Sequence, residues 1–143
     1  MKINPNENIV TRLVKSEDLN HHGTLFAGRT AEWFVEAGFI AAADILDPEN
    51  LVCLKLHGLK FNKPILPGDL ITFKSKVVFT GKSSIFVYVE ARGKKSKDSS
   101  IDGFMIFIHV NENTNPIPHN LEVDPITDED KELYKKASEL KKN

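Results

Sequence analysis

An α+β fold, with one long helix wrapped by an antiparallel sheet of about five strands, is what the sequence predicts. Three observations predict it. Residues 29–43, "RTAEWFVEAGFIAAA", are apolar on almost every side of a helix, so this helix must be buried on most sides. Four later segments, "LVCLKLHGLKF" (51–61), "LITFKSKVVF" (70–79), "SIFVYVEAR" (84–92) and "FMIFIHVN" (104–111), are rich in β-branched and aromatic residues and bounded by turn residues. "TDEDKELYKKASELKK" then reads as a terminal helix, with acids in its first turn and lysines in its last, matching the helix dipole. A sheet that curls round the first helix reconciles the first two observations.

Each element has its own local reason. "VTRLV" near residue 10 supplies a fifth strand. In 70–79, Ile71, Phe73, Ser75, Val77 and Phe79 alternate with Thr72, Lys74, Lys76 and Val78, so the first set is expected on one face. Gly58 and Lys60 interrupt the first long strand, where a bulge is expected. "FTGKSS" and "RGKKSKDSSIDG" are hairpin connections, the second expected as a solvated tip, and "KPILPGD" is a proline-fixed turn leading into a strand. Residues 113–126 are a proline-containing linker without a sheet pattern. Thr127 caps the terminal helix over 127–142, and Leu133, Ala137 and Leu140 form the stripe that docks it.

At 143 residues the chain fits a single domain, 1–143, with its core over about 8–112. A net charge of −1 offers no general electrostatic reason to bind nucleic acid or an anionic membrane, so an anionic ligand needs a local basic patch. The one cysteine, Cys53, excludes an intrachain disulfide and a cysteine zinc site. Its neighbours Leu51, Val52 and Leu54 suggest a thiol packed in the core. The first ten residues have no signal-peptide pattern and no run is long enough to span a bilayer, so a soluble, cytoplasmic protein is expected. His57 and His109 fall in strand patterns and His119 in the linker, and no spacing joins them into a metal site.

Candidate chemistry concentrates at the start of the central helix. At 100° per residue Arg29, Glu32 and Glu36 share one side, either as a solvated stripe with an i,i+3 ion pair or as the wall of a cleft. Just before them, Asn20, His21 and His22 gather amide and imidazole groups, and Gly28 permits close approach of the chain. A helix N-terminus offers unpaired N–H groups to an oxyanion or a polarised carbonyl. Such donors, with a carboxylate one or two turns further on, are what hydrolysis of an activated acyl group requires.

The pattern N-x-x-G-x-x-F-x-G-x-x-x-E-W-x-x-E-A, from Asn20 to Ala37, resembles the opening of the hotdog-fold acyl-CoA thioesterases. "FNKPILPGD" is similar to that family's F-x-K-P…G-D turn, and "TGKSS" to its T-G-(K/R)-(S/T)-S hairpin. The likeness covers roughly residues 8–140. It implies a hotdog fold, self-association as a dimer or higher homo-oligomer with sites between chains, and acyl-CoA as substrate, with no separate cofactor and no metal. In the acyl-CoA hydrolase branch a loop Asn and a helix Asp carry the chemistry. Asn20 takes the Asn position, whereas the Asp position falls on Val35, which cannot act as a base. Glu32, about 60° round the helix from Val35, is then the first replacement, and Glu36, about 100° away, the second.

On this reading Asn20 and N–H groups near Ala27 and Gly28 hold the thioester carbonyl and water, while a helix glutamate acts as general base or attacks to form an anhydride. Substrate contacts are expected from His21, Phe26, Trp33 and Lys63, and from the hairpin Thr80, Gly81, Lys82, Ser83 and Ser84. The alternative is a protein that binds acyl-CoA or an acyl carrier without turnover. A hotdog dehydratase is a weaker rival, because the proline-glycine turn here leads into a strand and not into the helix. A purely structural oligomer is the remaining one.

Overall fold

The computed structural model describes residues 1–61, 63–97 and 100–141. In chain order the elements are β1 (Lys2–Ile3), β2 (Asn8–Leu13), α1 (Ala27–Ala43), β3 (Leu51–His57), β4 (Leu70–Thr80), β5 (Ser84–Gly93), β6 (Ser100–His109), β7 (Glu122–Val123) and α2 (Asp128–Lys141). Five strands form one antiparallel sheet in the order β2-β4-β5-β6-β3. The expected α+β architecture is present, with α1 against one face of the sheet and α2 against the other.

The inner layer is built from the predicted periodicities. α1 buries Thr30, Trp33, Phe34, Ala37, Gly38, Ala41 and Ala42, the face its sequence leaves without charge. Against it stand Ile71, Phe73 and Val77 of β4, Val87, Val89 and Ala91 of β5, and Met105 and Phe107 of β6. Trp33 meets Phe73 edge to face, with ring centroids 6.3 Å apart. Ser75 is the polar exception on this face, and its hydroxyl donates to the Ala37 carbonyl at 2.8 Å. An inward hydroxyl is thereby satisfied instead of left unpaired in the core.

On the outer face Val78, Phe79, Phe86 and Ile106 receive Leu133, Ala137 and Leu140 of α2, the stripe expected to dock it. Thr127 caps α2, accepting the Asp130 N–H on its hydroxyl at 3.0 Å. Lys76 of β4 reaches over to Asp130, its Nζ 2.6 Å from the carboxylate.

Five expectations need correction. Phe79 lies on the outer face, not with Val77, because a bulge between Val77 and Phe79 adds one residue and reverses the alternation. The bulge of β3 lies between Cys53 and Lys55, not at Gly58 and Lys60; the strand ends at His57, where Gly58 turns the chain at φ +83°. Cys53 is exposed, not in the core, because β3 is the edge of the sheet, with no further strand beside it. The 113–126 segment contributes β7, which pairs with β1 in a separate two-stranded ribbon. Lys95 and Ser96, in the connection expected as a solvated tip, are tied by their backbone N–H groups to the buried Asp69 carboxylate. Asp98 and Ser99 of that connection lie outside the described residues.

Candidate active site at the start of the central helix

The loop before α1 is shaped by one amide. Asn20 Oδ1 accepts the N–H groups of His22 (2.9 Å) and Thr24 (3.2 Å), and Asn20 Nδ2 donates to Thr24 Oγ1 at 3.1 Å. An Asn side chain has two N–H donors, and the second has no partner among the described residues. Backbone bonds complete the loop, from Asn20 N–H to the Thr24 carbonyl and from Leu25 N–H to the Ile65 carbonyl.

Asp18 fixes the start of the helix. This carboxylate is buried, accepts the Lys15 N–H at 2.9 Å and lies 3.3 Å from Arg29 Nε, while its backbone carbonyl takes the Phe26 N–H. α1 then begins at Ala27 without a side-chain cap and without an acid in its first turn. The N–H groups of Arg29 and Thr30 bond the Phe26 carbonyl, which leaves those of Ala27 and Gly28 without a partner among the described residues. A Cβ at Gly28 would stand 2.5 Å from the ring of Phe26, an exposed side chain that would have to swing aside.

A cavity of about 210 Å³ opens at this point, with Asn20, Thr24, Ala27, Thr30, Phe61 and Lys63 among its walls. Of the residues singled out from sequence, the fold brings Asn20 and Lys63 to it, with Phe26 and Gly28 beside Ala27 at the helix start. Thr24 and Thr30 were missed, because their roles depend on the loop closing back on the helix; the Thr30 hydroxyl donates to the Phe26 carbonyl at 3.3 Å. His21 and His22 are exposed, their rings 3.9 Å apart.

The glutamates are placed differently from one another. Glu36 forms an ion pair with Arg12 of β2, whose guanidinium also lies over the Trp33 ring, 5.5 Å from its centroid. Glu32 is more open, with Arg29 Nη1 3.7 Å from its carboxylate. Neither lines the cavity within one chain. Val35 packs against the core cluster, and Trp33 is buried in it.

The Thr80–Ser84 hairpin lies at the other end of the sheet. Ala91 pairs with Ile101, a wall of the cavity, while Ser84 pairs with Ile108. Seven residues of strand separate the two levels, on the order of 20 Å. The hairpin is stitched to the 117–123 segment and to the end of β6: His119 N–H donates to the Lys82 carbonyl, Val123 N–H to Thr80 Oγ1, and His109 N–H of β6 to the Ser83 carbonyl. The buried His119 ring donates from Nε2 to the Ser84 carbonyl (3.0 Å) and accepts the Leu121 N–H on Nδ1 (2.9 Å). Accepting on Nδ1 requires the neutral ring. Burial lowers the His119 pKa, as does His109, against a smaller opposing effect of the bonds to Ser84 and Gly81. Among the described residues no group of three or more His, Cys, Asp or Glu is arranged to hold a metal.

The central helix wrapped by a five-stranded antiparallel sheet agrees with the comparisons. A family model described as the thioesterase superfamily matches residues 22–99, more than half of the chain. The chain belongs to the thioesterase superfamily. It is similar to an uncharacterized acyl-CoA thioester hydrolase of Bacillus subtilis (strain 168), YkhA, at 28% identity over 105 residues; these are 71% of this chain but only 60% of that protein's length. Its fold is similar to that of an apo-hexameric acyl-CoA thioesterase, with a TM-score of 0.85, 28% identity and coverage of 96% of this chain and 89% of the other. An acyl-CoA hydrolase from Staphylococcus aureus, solved with butyryl coenzyme A, coenzyme A and coenzyme A disulfide, superposes with a TM-score of 0.80 at 26% identity, over 93% of this chain and 80% of that one. The expected hotdog fold is thus the observed one. No helix among the described residues is long and apolar enough to cross a membrane.

Proposed function

We propose that the chain hydrolyses acyl-CoA thioesters to the free acid and coenzyme A. The observation that carries this reading is the cavity in which the free N–H of Asn20 and the uncapped first turn of α1 converge, in a chain of the thioesterase superfamily. A thioester carbonyl polarised by these donors is open to water. Glu32 takes the proton of the attacking water, the C–S bond breaks, and the thiolate leaves and is protonated. Glu32 is preferred to Glu36 because Glu36 is held by Arg12 toward β2, whereas Glu32 is the nearer of the two to the Val35 side of the helix.

The working unit is an oligomer with the site between two copies. β3 is an open edge on which Val52, Leu54 and Leu56 are exposed, and Ile40 of α1 is exposed as well. An apolar unpaired edge of this kind is stable in water when another strand covers it. A second copy also supplies what one chain lacks, a carboxylate and the Thr80–Ser84 hairpin close to one cavity.

Non-catalytic binding of acyl-CoA is the second reading, favoured by the apolar Val35 where the resemblance places an aspartate. Thiol release from acetyl-, hexanoyl- and palmitoyl-CoA by the wild type and by Glu32→Gln decides between them. Hydrolysis is expected in the wild type, with a loss of about 100-fold in Glu32→Gln at an unchanged melting temperature. A wild type stabilised by acyl-CoA but releasing no thiol overturns the hydrolase reading in favour of the binder.

A further inference from the structure

The outer face of the sheet is covered over only half its length. α2 lies on Val78, Phe79, Phe86 and Ile106, and its acidic first turn is met by Lys76, which reaches Asp130 at 2.6 Å and Glu129 at 3.9 Å. The other half, toward the β4 start, is open. It forms a groove of about 500 Å³ whose walls include Lys74, Arg92, Lys94 and Lys97, with Thr11, Thr72 and Leu70 between them. None of the four cations has an ion pair among the described residues. Glu90, opposite Lys74 in register, and Asp102, opposite Glu90, are acids on this face, at the boundary with the covered half, and the Asp102 carboxylate accepts the Tyr88 hydroxyl.

This open half repeats the chemistry of the covered one. Leu13 and Leu70 are a register pair across β2 and β4, exposed at 51% and 37%, and give this half an apolar pair of its own, with Leu70 in the wall of the groove. Lys74, two residues before Lys76, projects from the same face of β4. The support is rigid. Asp69 is fully buried and accepts the N–H groups of Leu70 (2.8 Å), Lys95 (2.8 Å) and Ser96 (3.1 Å), which anchors the loop bearing Lys94 and Lys97. Burial acts to raise the Asp69 pKa, but these bonds and one from the Ser96 hydroxyl outweigh it and hold the carboxyl below its usual range.

We propose that this groove docks an acidic amphipathic helix of a partner protein, laid on the open half of the sheet as α2 is laid on the covered half. A compact phosphate group fits less well, because the cations are spread over two strands and a loop instead of converging. The backbone N–H groups of Lys95 and Ser96, which would form an anion nest, are turned inward to Asp69. An apolar pair flanked by separated cations suits a helix with one apolar stripe and acids beside it. The proposal stands independently of the chemistry at Asn20.

The test is fluorescence anisotropy of the full chain with a labelled synthetic helical peptide carrying a Leu/Ala stripe and glutamates beside it. A scrambled peptide of the same composition and inorganic pyrophosphate are run alongside. Binding of the patterned peptide is expected to weaken roughly tenfold in Arg92→Glu and in Lys74→Glu, and again on raising salt to roughly 300 mM. Leu70→Ser is expected to weaken it with the charges intact. Unchanged melting curves and unchanged thiol release show that these exposed substitutions leave the fold and the Asn20 site alone. Equal binding of scrambled and patterned peptides overturns the proposal, as does saturable pyrophosphate binding lost in Arg92→Glu. A mass change on dilution, abolished by Arg92→Glu, makes the groove a contact between copies and overturns it as well.

Discussion

The two ends of the sheet handle polar groups in opposite ways. At the Asn20 end, an amide N–H and the first turn of α1 are left open beside a cavity, and the organising bonds serve to hold them in place. At the His119 end, both nitrogens of the His119 ring and the carbonyls of Lys82, Ser83 and Ser84 are used within the chain. Both ends contain a glycine-bearing turn and histidines, so residue type does not separate them. What separates them is whether the folded chain consumes its own donors. Unused donors next to a cavity mark binding and chemistry; consumed ones mark architecture.

Substitutions at the two ends sharpen this contrast, and the largest effect is expected at Asn20. Asn20→Asp retains acceptors for the His22 and Thr24 N–H groups but removes the amide donors. Thiol release is expected to fall about 100-fold while circular dichroism and melting temperature stay close to wild type. A fall in both would make Asn20 a loop organiser only.

At the other end the signs reverse. His119→Ala removes a buried ring, leaves the Leu121 N–H without its partner and takes from the Ser84 carbonyl one of its two bonds, the other being from the Gly81 N–H, at a cost of about 2–3 kcal/mol read from urea denaturation. Equal stability of this variant and the wild type would remove the distinction between the two ends.

A smaller effect follows from the neutral ring. The folded His119 pKa lies below the unfolded one of about 6.5. Stability from this group is therefore fully present above pH about 6.5 and is lost as pH falls from there through the folded value. His57 is shifted in the same direction, chiefly by desolvation and then by Lys55, so it adds to the slope. His119→Gln is expected to flatten the dependence of stability on pH in this window in part; an unchanged slope would place its origin elsewhere.

The smallest effect is expected at Glu36. Its pair with Arg12 is half-exposed, so Glu36→Gln costs less than about 1 kcal/mol. Turnover is expected to stay within about twofold of wild type. A loss comparable to that of Glu32→Gln would transfer the role of base to Glu36.

Much of the fold was legible because it follows from local pattern. The absence of a charged face over residues 33–43 already required a sheet wrapped round α1, and the acid-to-lysine gradient with Thr127 marked α2. The two bulges were not legible at their true positions. A bulge is a matter of register between two strands, and nothing in "KVVFT" alone says that Val78 is the extra residue. Cys53 sits in an apolar string like any core strand, and its exposure follows from the edge position of β3.

The site divides along the same line. The sequence by itself determined which chemistry was available: an Asn before a glycine-bearing helix start, two helix glutamates, and an apolar Val35. Only the tertiary structure decided how those groups are used, because that depends on partners far away in sequence. Arg12 claims Glu36 from 24 residues away, Asp69 claims the backbone of Lys95 and Ser96, and His119 claims the Ser84 carbonyl. Periodicity and propensity are local and can be read along the chain. Whether a donor or a charge is satisfied is a property of the folded whole.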